Sequence, residues 1–160
     1  MSPRESKKAM HERATVVNET LTQMFPDAKC ELDYRNPLEL LVATVLSAQC
    51  TDKRVNQVTP VLFSKYPTVQ DLAAAPIEAI EEIVRSTGFY HNKAMSIKGL
   101  SAAIIDRFAG EVPNTLAELV TLPGAGRKTA NVVLGNAFGV PGVTIDTHVG
   151  RIARRLGWTT

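Results

Sequence analysis

The sequence predicts an all-α protein, on three observations. Apolar residues recur at i, i+3, i+4 and i+7 along most of the chain, the spacing of one helix face. No segment alternates apolar and polar residues as a half-buried strand does; 140–145 comes nearest, and it holds Pro141 and Gly142. Connections are short, and each contains Pro, Gly, Asn or Asp. With 160 residues, 44% hydrophobic and 21% charged, the chain can close a core without staples. Eight or nine short helices around one core are expected.

Each element has its own signal. A first helix runs from about Lys8 to Phe25, with Pro26 beyond its end. The next opens at Asn36, which caps; Pro37 suits the first helical position and Glu39 completes a box-like spacing. Leu38, Leu41, Val42, Val45 and Leu46 form its stripe. A third opens at Thr51 or Asp52 and carries Val55, Val58, Leu62 and Phe63. Ile77, Ile80, Ile83 and Val84 make a shorter stripe after Pro76. Ile97, Leu100, Ile104, Ile105 and Phe108 make another, ended by Gly110. A short helix from Thr115 to Val120 precedes a longer one with Ala130, Val133, Leu134, Ala137 and Phe138, stopped by Gly139 and Pro141. Val149, Ile152 and Leu156 mark a last amphipathic segment.

Composition excludes several classes. No apolar run approaches the ~20 residues of a membrane helix. Met1 to Arg13 is charged and lacks a signal core, so a cytoplasmic protein is expected. Cys30 and Cys50 make neither a disulfide framework nor a C-x-x-C pair, and read as buried small residues in a reducing compartment. His148 has no partner at ligand spacing, so no metal site is expected from it. The net charge is +2, but residues 121–160 carry +4 and the first 120 carry −2. A basic final third on a near-neutral body points to one anion-facing surface.

The sharpest motif is Leu122-Pro123-Gly124-Ala125-Gly126-Arg127-Lys128-Thr129-Ala130, between a short helix and a longer one. Two glycines allow positive φ and close backbone approach. Free N–H groups at the second helix's start, with the helix dipole, bind an anion such as a DNA phosphate. A bare G-x-G is more often only a turn between packed helices. A P-loop is excluded, because G-x-x-x-x-G-K-[ST] is absent.

The longer string, continuing Asn131-Val132-Val133-Leu134, closely resembles the helix-hairpin-helix of the endonuclease III family of DNA glycosylases. Val143-Thr144-Ile145-Asp146-Thr147-His148-Val149 resembles that family's aspartate motif. Ser47-Ala48-Gln49-Cys50-Thr51-Asp52 and Thr87-Gly88-Phe89-Tyr90-His91-Asn92-Lys93-Ala94 resemble two further blocks. The likeness runs from about Thr15 to Gly157.

The resemblance implies a helix-hairpin-helix glycosylase fold, C-terminally truncated. The N-terminal helix at 1–27 is half of a second domain, 28–142 is a six-helix domain with its hairpin at 114–138, and 143–160 begins a C-terminal segment. It implies base-excision repair of oxidised pyrimidines in duplex DNA, with AP-lyase activity. The amine of Lys128 attacks the sugar carbon, forms a Schiff base and leads to β-elimination. The amine attacks only when neutral, which burial or a nearby cation favours. Asp146 stabilises positive charge on the sugar and handles the proton; without the resemblance it reads as a helix cap. Gln49 fills the stack vacated by the flipped nucleotide, and Phe89, with Thr87 nearby, stands where an aliphatic wedge is expected. Leu122, Gly124, Gly126 and Arg127 are expected to bind DNA. The partner is double-stranded DNA with a damaged base or abasic site, bound by a monomer in the cytoplasm or nucleoid, with no membrane role. The family's 4Fe–4S cluster is implied, but its four cysteines are absent, so no cofactor is expected in this chain. Alternatives are an adenine-mismatch-type monofunctional glycosylase, against which Lys128 argues, and a non-catalytic DNA-binding remnant.

Overall fold

Residues 5–159 are described by a computed structural model. Among them are nine α-helices, one 3₁₀ turn and no strand. They form two compact units. One takes the described residues up to 30 and from 147 onward; the other is Glu31–Asp146. The outermost residues of the 1–27 and 143–160 segments lie outside the described residues.

The first unit holds α1 (Lys7–Met24) and α9 (Thr147–Arg155). Ser6 caps α1, its hydroxyl accepting from Ala9 N at 3.2 Å. The Arg13 guanidinium binds the Glu5 carboxylate and also donates to Leu156 O at 2.7 Å, joining α1 to the segment after α9. No residue of either helix is buried, and Val16, Met24, Phe25 and Ile152 are more than half exposed.

The second unit holds the core. Its helices are α2 (Pro37–Leu46), α3 (Asp52–Lys65), α4 (Val69–Ala74), α5 (Ile77–Val84), α6 (Tyr90–Phe108), α7 (Leu116–Leu119) and α8 (Arg127–Ala137). That is seven helices between boundaries at 31 and 146, against six expected over 28–142. The additional one is α4, whose cue is a capping box. Thr68 Oγ1 accepts from Asp71 N, and the Asp71 carboxylate accepts from Thr68 N.

Two helices organise this unit. The start of α2 matches the sequence reading, with Asn36 Oδ1 accepting from Glu39 N at 2.9 Å and Pro37 in the first turn. Glu39 departs from it: its buried carboxylate accepts from Arg35 N and the Arg35 guanidinium, not from the cap's own N–H. Leu40, Ala43 and Thr44, which lie off the expected stripe, are buried as well, because α3, α6 and α8 all pack on α2. The other organiser is α6, packed on α4 and α5 through Ala94, Ile97, Leu100 and Ile104. It ends where Gly110 takes φ +85° and donates to Ile104 O.

Candidate active site

The hairpin joins α7 to α8. Leu122 N donates to Leu119 O and Ala125 N donates to Leu122 O, closing the turn. Leu122 is 3% exposed, so its side chain belongs to the core. Any contact of Leu122 with DNA would therefore come from its backbone and not from its side chain.

The two glycines differ. Gly124 has φ +75°, and a Cβ there would lie 2.7 Å from Ser96 Cβ, so backbone and neighbour both require glycine. Gly126 has φ −80° and ψ 176°, an extended cap position that any residue adopts. A Cβ on Gly126 would meet nothing within 4 Å. Nothing within the chain therefore demands glycine at 126, and its open side is where an outside group can approach. No side chain caps the start of α8, and no acidic residue lies in its first turn. The first two residues of that helix are Arg127 and Lys128, both exposed. Uncapped N–H groups, the positive end of the helix and two cations thus face solvent together.

Lys128 is exposed, so of the two expected activators, burial and a nearby cation, burial is not supplied by its surroundings. One turn along, Asn131 Nδ2 donates to Val143 O at 3.0 Å. This bond ties the helix of Lys128 to the segment running into Asp146. Along that segment Val143 and Ile145 are 67% exposed, while Thr144 and Asp146 are half-buried. Asp146 immediately precedes the first residue of α9.

Gln49, Phe89 and Gly124 come together on one cleft of about 230 Å³, lined also by Val45, Asn92, Lys93 and Ser96. Gln49 (φ 52°) and Phe89 (φ 48°) both hold left-handed backbone, uncommon for these residue types, and both are exposed. Such outliers gather at functional sites. Thr87, two residues before Phe89, is buried, its hydroxyl donating to Val84 O at 2.8 Å.

Residues 42–160 match the HhH-GPD superfamily of base excision DNA repair proteins. Over 149 residues the chain is 55% identical to endonuclease III of Synechocystis sp.. The chain belongs to the endonuclease III family. That similarity covers 92% of this chain and 68% of the relative. Endonuclease III of Bacillus subtilis is 55% identical over 134 residues, covering 84% of this chain and 61% of its own length. A trapped endonuclease III–DNA covalent intermediate, an estranged-adenine complex, superposes with a TM-score of 0.89 at 53% identity, covering 93% of this chain and 70% of that one. The chain thus spans about two thirds of the length of these endonuclease III relatives.

The residues of this endonuclease III family chain do not fit a four-thiolate iron–sulfur cluster, because Cys30 and Cys50 are the whole supply of thiols. Both are half-buried, not the fully buried packing residues expected. Nothing in the sequence marks Lys93 as buried. It lies in one of the family-like blocks but among polar neighbours, where lysine reads as surface; it is 5% exposed.

Proposed function

We propose that this chain is a bifunctional DNA glycosylase and AP lyase that removes oxidised pyrimidines from duplex DNA. The observation that carries the reading is the start of α8, which presents Lys128 from an uncapped, cationic helix end beside Gly126. A DNA phosphate accepts from the free N–H groups there and brings the sugar to the lysine. The relative captured as a covalent intermediate with DNA supports a covalent route.

In this route the neutral Lys128 amine attacks the anomeric carbon as the bond to the base breaks, and the base departs with the bonding electron pair and takes up a proton. Asp146 stabilises the positive charge on the sugar while that bond breaks. Its carboxylate then takes the proton that the attacking amine sheds and delivers it to the ring oxygen. The ring opens to a protonated imine. Loss of a C2′ proton expels the 3′ phosphate by β-elimination, and water releases Lys128 from the imine. Gln49 and Phe89 enter the space left by the extruded nucleotide. Phosphate contacts supply most of the affinity, so binding weakens steeply with salt. The chain acts as a monomer in the compartment that holds DNA.

The test is a duplex with one oxidised pyrimidine, assayed for released base and for the unsaturated 3′ end that β-elimination leaves. Both products support the reading. Base release without strand cleavage supports the monofunctional alternative, and duplex binding with neither product leaves a non-catalytic DNA-binding protein.

A further inference from the structure

Among the described residues, three exposed non-glycine residues have left-handed backbone; Ala109 ends α6, and the other two, Gln49 and Phe89, share a cleft also lined by a buried lysine. Lys93 lies in the first turn of α6, and its Nζ donates to Thr87 O at 2.7 Å. Thr87 ends the 3₁₀ turn Arg85–Thr87. Gly88 follows at φ 72° with open space around it, then Phe89, whose side chain is 64% exposed. Packing and the Thr87 hydroxyl bond to Val84 O fix the turn as far as Thr87, but little packs on Gly88 and Phe89 beyond it. Phe89 is left-handed and has no side-chain cap; its carbonyl accepts from Lys93 N, and the Lys93 side chain adds a second tie, to Thr87 O, across the open Gly88–Phe89 step. Cys50, which follows Gln49, acts electrostatically on Lys93. Burial pushes the Lys93 pKa down, and Cys50 offsets part of that. An apolar side chain would fill the same space without this desolvation cost, so packing alone does not explain a lysine here.

We propose that Lys93 is a positioning residue, its ammonium bonded to Thr87 O to hold the Phe89 turn opposite Gln49 so that both side chains enter the duplex together. This rests on the glycosylase reading for its purpose and on the Lys93–Thr87 geometry for its mechanism. Lys93 itself touches neither the sugar nor the base.

The experiment places 2-aminopurine beside an abasic-site analogue in a duplex and reads its fluorescence as the full chain binds. Insertion of the wedge residues unstacks the probe, and no chemistry is needed. In parallel, borohydride trapping is measured on a single-stranded abasic oligonucleotide, where no gap has to be filled. Lys93→Met is expected to fold, to trap the single strand within about twofold of wild type, and to lose about tenfold in insertion rate on the duplex. Lys93→Arg, which keeps a charged donor, is expected to recover at least half of the signal.

Unchanged insertion by Lys93→Met, an equal loss on single-stranded and duplex DNA, an unfolded Met variant, or an Arg variant as silent as Met would each overturn the proposal. So would a wild-type chain that binds the duplex with no fluorescence change. A wild-type chain that gives the fluorescence change without base release or adduct would overturn the proposed reaction and leave the positioning role standing.

Discussion

Asn131 donates from its side-chain amide to the carbonyl of Val143 at 3.0 Å, and so joins the helix of Lys128 to the segment that ends in Asp146. Lys128 and Asn131 are three residues apart on α8 and share a face. Val143 lies three residues before Asp146. The carboxylate is thus referred to the lysine through one side-chain hydrogen bond. Removing it with Asn131→Ala is expected to slow base release about tenfold by letting the carboxylate drift. Duplex affinity, set by phosphate contacts, should stay within about twofold. Single-turnover rates with binding curves on the same duplex check this; equal losses in rate and affinity would refute it.

Gly126 permits a separation of stability from binding. Its backbone suits a serine, whose hydroxyl would cap α8. Gly126→Ser should leave unfolding unchanged or raise stability by a few tenths, about 0.3 kcal/mol. The same hydroxyl would occupy N–H groups assigned to phosphate, so duplex affinity should fall about fivefold, near 1 kcal/mol. Denaturant melts and a binding titration measure the two effects. Unchanged affinity would remove α8's start from the interface.

The sequence made most helix limits readable because their causes are local. Asn36 with Pro37, Thr51, Gly110, and Gly139 with Pro141 each mark an end by their own chemistry. Tertiary effects were not readable. The buried Leu122, and α2 covered on its expected polar side, depend on what packs against them. At the site, the family-like strings located the hairpin and the wedge positions but not their conformations. Gln49 and Phe89 are not residues that signal positive φ, and Lys93 in a polar stretch gave no sign of burial.

The left-handed backbone at Gln49 has its own consequence. Glycine removes the strain, so Gln49→Gly should stabilise the chain by about 1 kcal/mol. It also removes the side chain assigned to the vacated stack, so base release from duplex DNA should fall. A thermal melt beside a base-release assay tests the trade. A variant that loses stability would argue against the strained backbone.

Lys93 sets a pH signature on stability. Its pKa in the folded chain lies below the usual 10.5, so the unfolded chain binds the proton more tightly. Stability attributable to Lys93 therefore rises as pH rises from its folded pKa towards 10.5, and is least below that window. The slope cannot exceed about 1.4 kcal/mol per pH unit for one proton. Cys50 acts electrostatically on Lys93, so the comparison of wild type with Lys93→Met belongs in a Cys50→Ser background. Denaturant melts across the alkaline range should show wild type gaining on the Met variant; a loss would contradict the direction of the shift.

In the proposed reaction Lys128 becomes covalently joined to DNA. Borohydride trapping on a duplex with one abasic site, wild type beside Lys128→Ala, tests it most directly. The wild-type chain is expected to give a covalent adduct and the variant none. An adduct of equal yield from Lys128→Ala, or none from a folded wild-type chain that binds the duplex, would contradict it.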